Sequence, residues 1–181
     1  MTTPIGHSLT AIALWKAFRP RAGKVLFNPW LWLAVISANA PDLDFLPGLI
    51  AGDESIFHRS AGHSTGGAGI YGALVFGAVI LITGKSRAAL AASAIGLSLF
   101  GSHLLLDLFT RDPAPPYGMQ LFWPFSREYH LSPRTFFPNL DRHPFDLSVV
   151  GRALPVAAFE LVIFLPLLAV AEAWRRRRPF P

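Results

Sequence analysis

The sequence predicts an all-α, polytopic membrane protein: a bundle of about five apolar helices with a long aromatic outer loop, in one domain over residues 1–181. Three observations predict it. Hydrophobic residues make up 52% of the chain and charged residues only 15%, against about 25% charged in an average soluble domain. Several apolar runs approach or reach the roughly 20 residues that a helix needs to cross a bilayer. The basic residues behind the net charge of +5 cluster beside those runs. There they act as topology signals and contacts for anionic headgroups, and no direct nucleic-acid partner is expected. The chain has no cysteine, so any metal site must be built from His, Asp, Glu and water. The opening MTTPIGHSLT lacks a basic n-region, and no cleaved signal peptide is expected.

The elements follow in order. Thr3 and Pro4 read as an N-cap and first helical residue, starting a helix that runs to about Phe18 with His7 near its beginning. It is short for a span, about 22 Å. The second apolar run begins at Pro29, where Trp30 and Trp32 suit an interfacial anchor. Pro41 and Pro47 break it, with Asp42 and Asp44 between them. Irregular backbone at membrane depth is tolerated where it is buried or lines a cavity, so two carboxylates there suit a cation. A polar stretch follows with His58, Arg59 and His63 among glycines that permit close approach. Ala68 to Thr83 is a third, glycine-rich run suited to tight helix packing.

The fourth run, Ala88 to Thr110, carries no charge until Asp107. His103 and Asp107 are four apart and project from one helix face. An ionisable pair in an apolar span is costly without compensation. It either glues helices by a hydrogen bond or grips one divalent ion from two sides. Beyond Thr110, a proline-rich segment to Arg152 holds Tyr117, Phe122, Trp123, Phe125, Tyr129, Phe136 and Phe137. These suit an aromatic belt or the floor of a lipid cleft. The last run, Ala153 to Trp174, contains Glu160 and ends in Arg175–Arg178.

The positive-inside rule places the C-terminus in the cytoplasm and the N-terminus outside. His7, Asp42, Asp44, His58, His63, His103, Asp107, His130 and His143 then all fall at the outer side. Glu160, about two turns into the last helix, reaches a depth similar to His103. Convergence of His and Asp residues scattered along the chain favours a metal site over dispersed glue, with His7, Asp42, Asp44, His58, His63, His103 and Asp107 among the candidates for it.

GHS at 6–8, PDLD at 41–44, HRSAGHS at 58–64, SHLLLD at 102–107 and GMQLFWPFS at 118–126 resemble the YdjM-like family. Its members are described as LexA-binding, inner-membrane-associated and assigned as metal-dependent hydrolases. The order His, Asp, His, then His-x-x-x-Asp is also similar to zinc-dependent phospholipase C and the related single-strand nucleases. The resemblance implies a bacterial inner-membrane location and ligation of a divalent metal, zinc first, by His7, Asp42 or Asp44, His63, His103 and Asp107. His130, His143, Asp146 and Glu160 stand as further candidates, and the number of ions is open.

The function expected is metal-dependent hydrolysis, with a phosphoester in a lipid-like substrate as the preferred class. Asp42 or Asp44 would serve as general base, and Arg59 would hold a phosphate oxygen. Two rivals stand beside it. A metal-ion transporter would need polar residues at both ends of the bundle, and the cytoplasmic half offers almost only Lys and Arg. A non-catalytic membrane protein that binds a metal or a partner needs only the ligands.

Overall fold

The computed structural model describes residues 2–18, 28–52, 57–110, 117–138, 140 and 147–177. Arg19, Arg21 and Lys24 of the first basic loop, His143 and Asp146 lie outside the described residues.

Among the described residues there are six α-helices, and several of their starts have a local cause. Helix α1, Pro4–Phe18, is capped by Thr3, whose hydroxyl accepts from the Ile5 N–H at 3.2 Å. Helix α2, Pro29–Asn39, opens with Asn28 accepting from the Trp30 N–H at 3.0 Å, with Pro29 at the first position. At Pro41 the ladder changes to a 3-10 turn, Pro41–Asp44, which leads into the short helix α3, Phe45–Ile50. The two helical pieces are bent by 49°, which the missing N–H of Pro41 explains. After a second 3-10 turn, Ala61–His63, helix α4 spans Thr65–Thr83. Ser64 caps it by accepting from Gly67, and Gly84 ends it at φ 66°, a left-handed conformation that glycine adopts without strain. Helix α5 is Ser86–Leu108 and α6 is Ser148–Arg177.

Helices α4, α5 and α6 are long and apolar enough to cross a membrane, and the bent pair α2–α3 adds a fourth if it counts as one broken span. Among the described residues α1, with 15 residues, falls short of the length of a span. The all-α class stands: among the described residues there is no strand, only two isolated bridges. Helix α4 turns its apolar surface outward, with only 6% of its window buried within the protein. A helix apolar all round and unburied belongs in lipid.

Packing runs α4 on α5, α5 on α2, α2 on α1 and α1 on α6. Ala11, Ala34 and Ala38 meet Leu99 where α1, α2 and α5 converge. Small side chains let these backbones approach, which is how helices associate where lipid supplies no hydrophobic drive. Helices α1 and α6 run parallel, tied at both ends. Thr3 and Gly6 bond to Glu160 at one end, and Lys16 meets Glu172 at 3.2 Å at the other. Glu172 also binds Arg175 and Arg176, gathering the basic residues at that far end.

The aromatic segment is irregular and folded back on the helices. Met119 and His130 exchange backbone bonds at 3.0 and 2.8 Å. The N–H groups of Thr65 and Gly66, at the start of α4, donate to the carbonyls of Leu121 and Trp123. Met119 is fully buried against Phe100 and Leu104 of α5. Tyr117, Phe122, Phe125 and Phe136 remain exposed.

Candidate metal centre

The broken helix, the second 3-10 turn and the last turns of α5 meet at one end of the bundle. They bring together four donors, Asp42, His63, His103 and Asp107, all buried, as a group able to hold a metal ion. Their ligand atoms make a compact set. The Nε2 atoms of His63 and His103 are 3.1 Å apart. Asp107 Oδ2 lies 3.5 Å from His63 Nε2 and 3.6 Å from His103 Nε2. Asp42 Oδ1 lies 3.6 and 3.7 Å from the same two atoms. Adjacent donors around a tetrahedral zinc ion, at bond lengths near 2.05 Å, are about 3.3 Å apart. The five measured separations bracket that value.

Each imidazole is also held in the orientation that ligation needs. His103 Nδ1 bonds to the Ala38 carbonyl at 2.7 Å. That carbonyl lies where the α2 ladder ends before Pro41, so it is one of the terminal acceptors a helix leaves over. His63 Nδ1 bonds to Asp44 Oδ2 at 2.7 Å. With both Nδ1 atoms donating, the Nε2 lone pairs face each other and two carboxylates. Only a shared proton or a cation relieves that arrangement. Burial opposes an imidazolium at His63. Asp44 beside it, with Asp107 and Asp42, outweighs the burial and holds its pKa well above the ordinary range. Among the described residues no hydrogen bond is formed by either Asp42 oxygen, by Asp107 Oδ2 or by either ring nitrogen of His7. Buried polar atoms rarely go unserved, and those on Asp42 and Asp107 point into one small space. The residues present therefore fit a divalent cation.

The expected site residues divide by place. His7 stacks on His103 with ring centroids 3.6 Å apart, and its Nε2 is 3.5 Å from Asp107 Oδ1. It flanks the four donors. Asp44 and His58 form an outer layer. Asp44 Oδ1 meets His58 Nδ1 at 2.9 Å, and its Oδ2 takes His63 Nδ1 and the Arg59 N–H. Asp42 and Asp44 diverge because residues two apart on a 3-10 turn point about 120° apart. The Arg59 side chain is buried, with Nη2 3.5 Å from Asp107 Oδ2. His130 is remote in role, edge-on to Phe122. Glu160 accepts from the Thr3 N–H, the Thr3 hydroxyl and the Gly6 N–H, and so fixes the start of α1. Sequence reasoning missed Thr2, whose hydroxyl donates to Asp107 Oδ1 at 2.8 Å, and the Ala38 carbonyl. Thr2 carried no signal; the Pro41 break was the clue to Ala38.

Asp44 is confined by Gly62, where an added Cβ would lie 2.5 Å from Asp44 Cβ and 2.8 Å from Oδ2. Gly62→Ala is expected to push Asp44 off His63 and weaken metal binding about 10- to 100-fold, as loss of an outer partner does. Gly69→Ala, into open space on α4, is expected to leave it unchanged. Metal titration of the purified variants checks both.

No curated protein and no solved structure gives a significant match, and the likeness to zinc-dependent phospholipase C finds no support there. The family model described as YdjM inner membrane protein matches residues 1–178. That span is nearly the whole chain and includes every residue of the buried centre, so the protein belongs to the YdjM inner membrane protein family.

Proposed function

We propose that the protein is a membrane-embedded, metal-dependent hydrolase acting on a phosphoester in a lipid-like substrate. One observation carries the reading: two Nε2 atoms and two carboxylate oxygens converge at 3.1 to 3.7 Å, with both imidazoles pre-oriented. Asp42, His63, His103 and Asp107 would hold the ion, zinc first because its tetrahedral preference and borderline softness suit two imidazoles and two carboxylates. Such an ion supplies Lewis acidity and makes water acidic enough to be a nucleophile at neutral pH.

The chain's own residues supply the rest. Asp42 is the donor best placed to yield or to take a proton, since no hydrogen bond ties either of its oxygens, whereas Asp107 is held by Thr2. Asp44 stays with His58 and His63 and keeps the His63 ring in place. The buried Arg59 guanidinium beside Asp107 suits a phosphate oxygen. The exposed aromatics at 117–136, stapled to the start of α4, suit an acyl or prenyl tail. In this reading the centre faces away from the cytoplasm. The support is the position of Lys16, Arg175 and Arg176 at the opposite end of α1 and α6.

A second reading has its own observation. Four protein donors fill a tetrahedron, as in structural sites, while catalytic zinc keeps a position open. A non-catalytic metal-binding membrane protein fits that count. Release of phosphate or headgroup from a panel of phospholipids and polyprenyl phosphates in detergent decides between them. The wild type is expected to turn over at least one class, and His103→Ala to lose both the ion and the activity. Equal rates in the two proteins would sink the hydrolase; a retained ion without turnover on any substrate would favour the second reading.

A further inference from the structure

The candidate centre sets one carboxylate between two imidazoles and a guanidinium, and this bears on how many ions it takes. Asp107 sits between them. Its Oδ2 faces the His63 and His103 nitrogens on one side and Arg59 Nη2, 3.5 Å away, on the other. Arg59 is 3% exposed, so its charge is inside the protein. Its backbone is left-handed, φ 60°, which is uncommon for a residue with a side chain. Two contacts hold that conformation: the Arg59 N–H donates to Asp44 Oδ2 at 3.1 Å, and its carbonyl accepts from the Gln120 N–H at 3.0 Å. A strained conformation persists only where its surroundings over-determine it. Here the strain aims a permanent positive charge at the same buried carboxylate oxygen that faces the two imidazoles.

We infer that the Arg59 guanidinium occupies the place a second cation would take, so that the centre binds one divalent ion per chain. This rests on the metal-centre reading above. Charge balance supports it. Asp42, Asp44 and Asp107 bring three negative charges to the centre, which one divalent ion and one guanidinium neutralise. A second divalent ion would leave two uncompensated positive charges in a buried site, where unpaired charge is strongly disfavoured. Geometry supports it as well. Among the described residues the outer group of Asp44, His58 and His63 is the other place with metal-ligand side chains close together. Its donors are already joined at 2.7 and 2.9 Å as hydrogen bonds. His63 Nδ1 cannot donate to Asp44 and ligate an ion at once.

The test is metal stoichiometry, by elemental analysis of purified protein after saturation with zinc and removal of loose metal. Wild type and Arg59→Lys, which keeps the charge, are expected to hold one ion per chain. Arg59→Gln, which removes it, is expected to take up a second ion or to bind the first at least tenfold more tightly. Two ions in the wild type would overturn the inference, as would one ion at unchanged affinity in Arg59→Gln. If Arg59→Gln does not fold, the wild-type count still decides. No ion in the wild type would instead remove the metal-centre reading itself, so the two failures are distinguishable.

Discussion

Asp107→Ala is expected to be the most damaging single change in the protein, losing the ion and most of the folded yield together. Asp107 is wholly buried and serves both sides of the centre. Oδ1 accepts from the Thr2 hydroxyl, and Oδ2 faces Arg59, His63 and His103. Truncation withdraws the countercharge from a buried guanidinium. Removing one partner of a buried ion pair costs about 3–5 kcal/mol, because the other charge stays behind. That is a large part of the roughly 5–15 kcal/mol by which most proteins are stable. Asp107→Asn separates the two effects. Its amide oxygen can still accept from Thr2 or face Arg59 as part of a neutral dipole, so the chain should lose less stability than Asp107→Ala, while the lost charge should reduce metal affinity by more than about 100-fold, beyond the range for loss of an outer partner. Detergent-solubilised yield, thermal midpoint and bound metal read the three quantities. An Asp107→Asn protein with full metal content would mean the ion, if any, sits elsewhere.

Glu160→Leu is the second large effect, and it should strike stability before metal. Three donors converge on this carboxylate: the N–H groups of Thr3 and Gly6 and the Thr3 hydroxyl. It lies at the start of α1, where the exposed N–H groups and the helix dipole favour negative charge. Leucine leaves those donors buried without an acceptor, at about 1–3 kcal/mol each. The thermal midpoint should fall steeply. Glu160→Gln, which keeps one acceptor oxygen, should fall less. In both, metal loss should follow the release of α1 and His7 rather than precede it. If Glu160→Gln lost its metal at an unchanged midpoint, Glu160 would be a ligand and not an anchor.

The parts of the site legible in the sequence were those set by regular helix geometry. His103 and Asp107, four apart on one long apolar run, do share a face and are both buried. The prolines around Asp42 and Asp44 do break the second run. The gathering of His63 with Asp42 and Asp107 matches the expectation that the scattered His and Asp residues share one end of the bundle. What stayed hidden depended on local departures from regular backbone. The 3-10 turn sends Asp42 inward and Asp44 to the outer layer, and nothing in PDLD announces that division. The left-handed Arg59 looks like any other residue of a polar loop. Helix α1 is apolar but, with 15 described residues, too short to count as a span by length. Glu160 looked like a fifth carboxylate for the centre, and only the parallel pairing of α1 with α6 reveals its true partners.

That pairing has a consequence for biogenesis. The residue that fastens α1 resides on α6, more than 150 positions later in the chain. The start of α1, with His7 in it, therefore stays unfastened while the intervening helices are made, and the basin is completed only once α6 has followed. Premature termination anywhere before Glu160 would yield a chain that inserts but never acquires a finished centre.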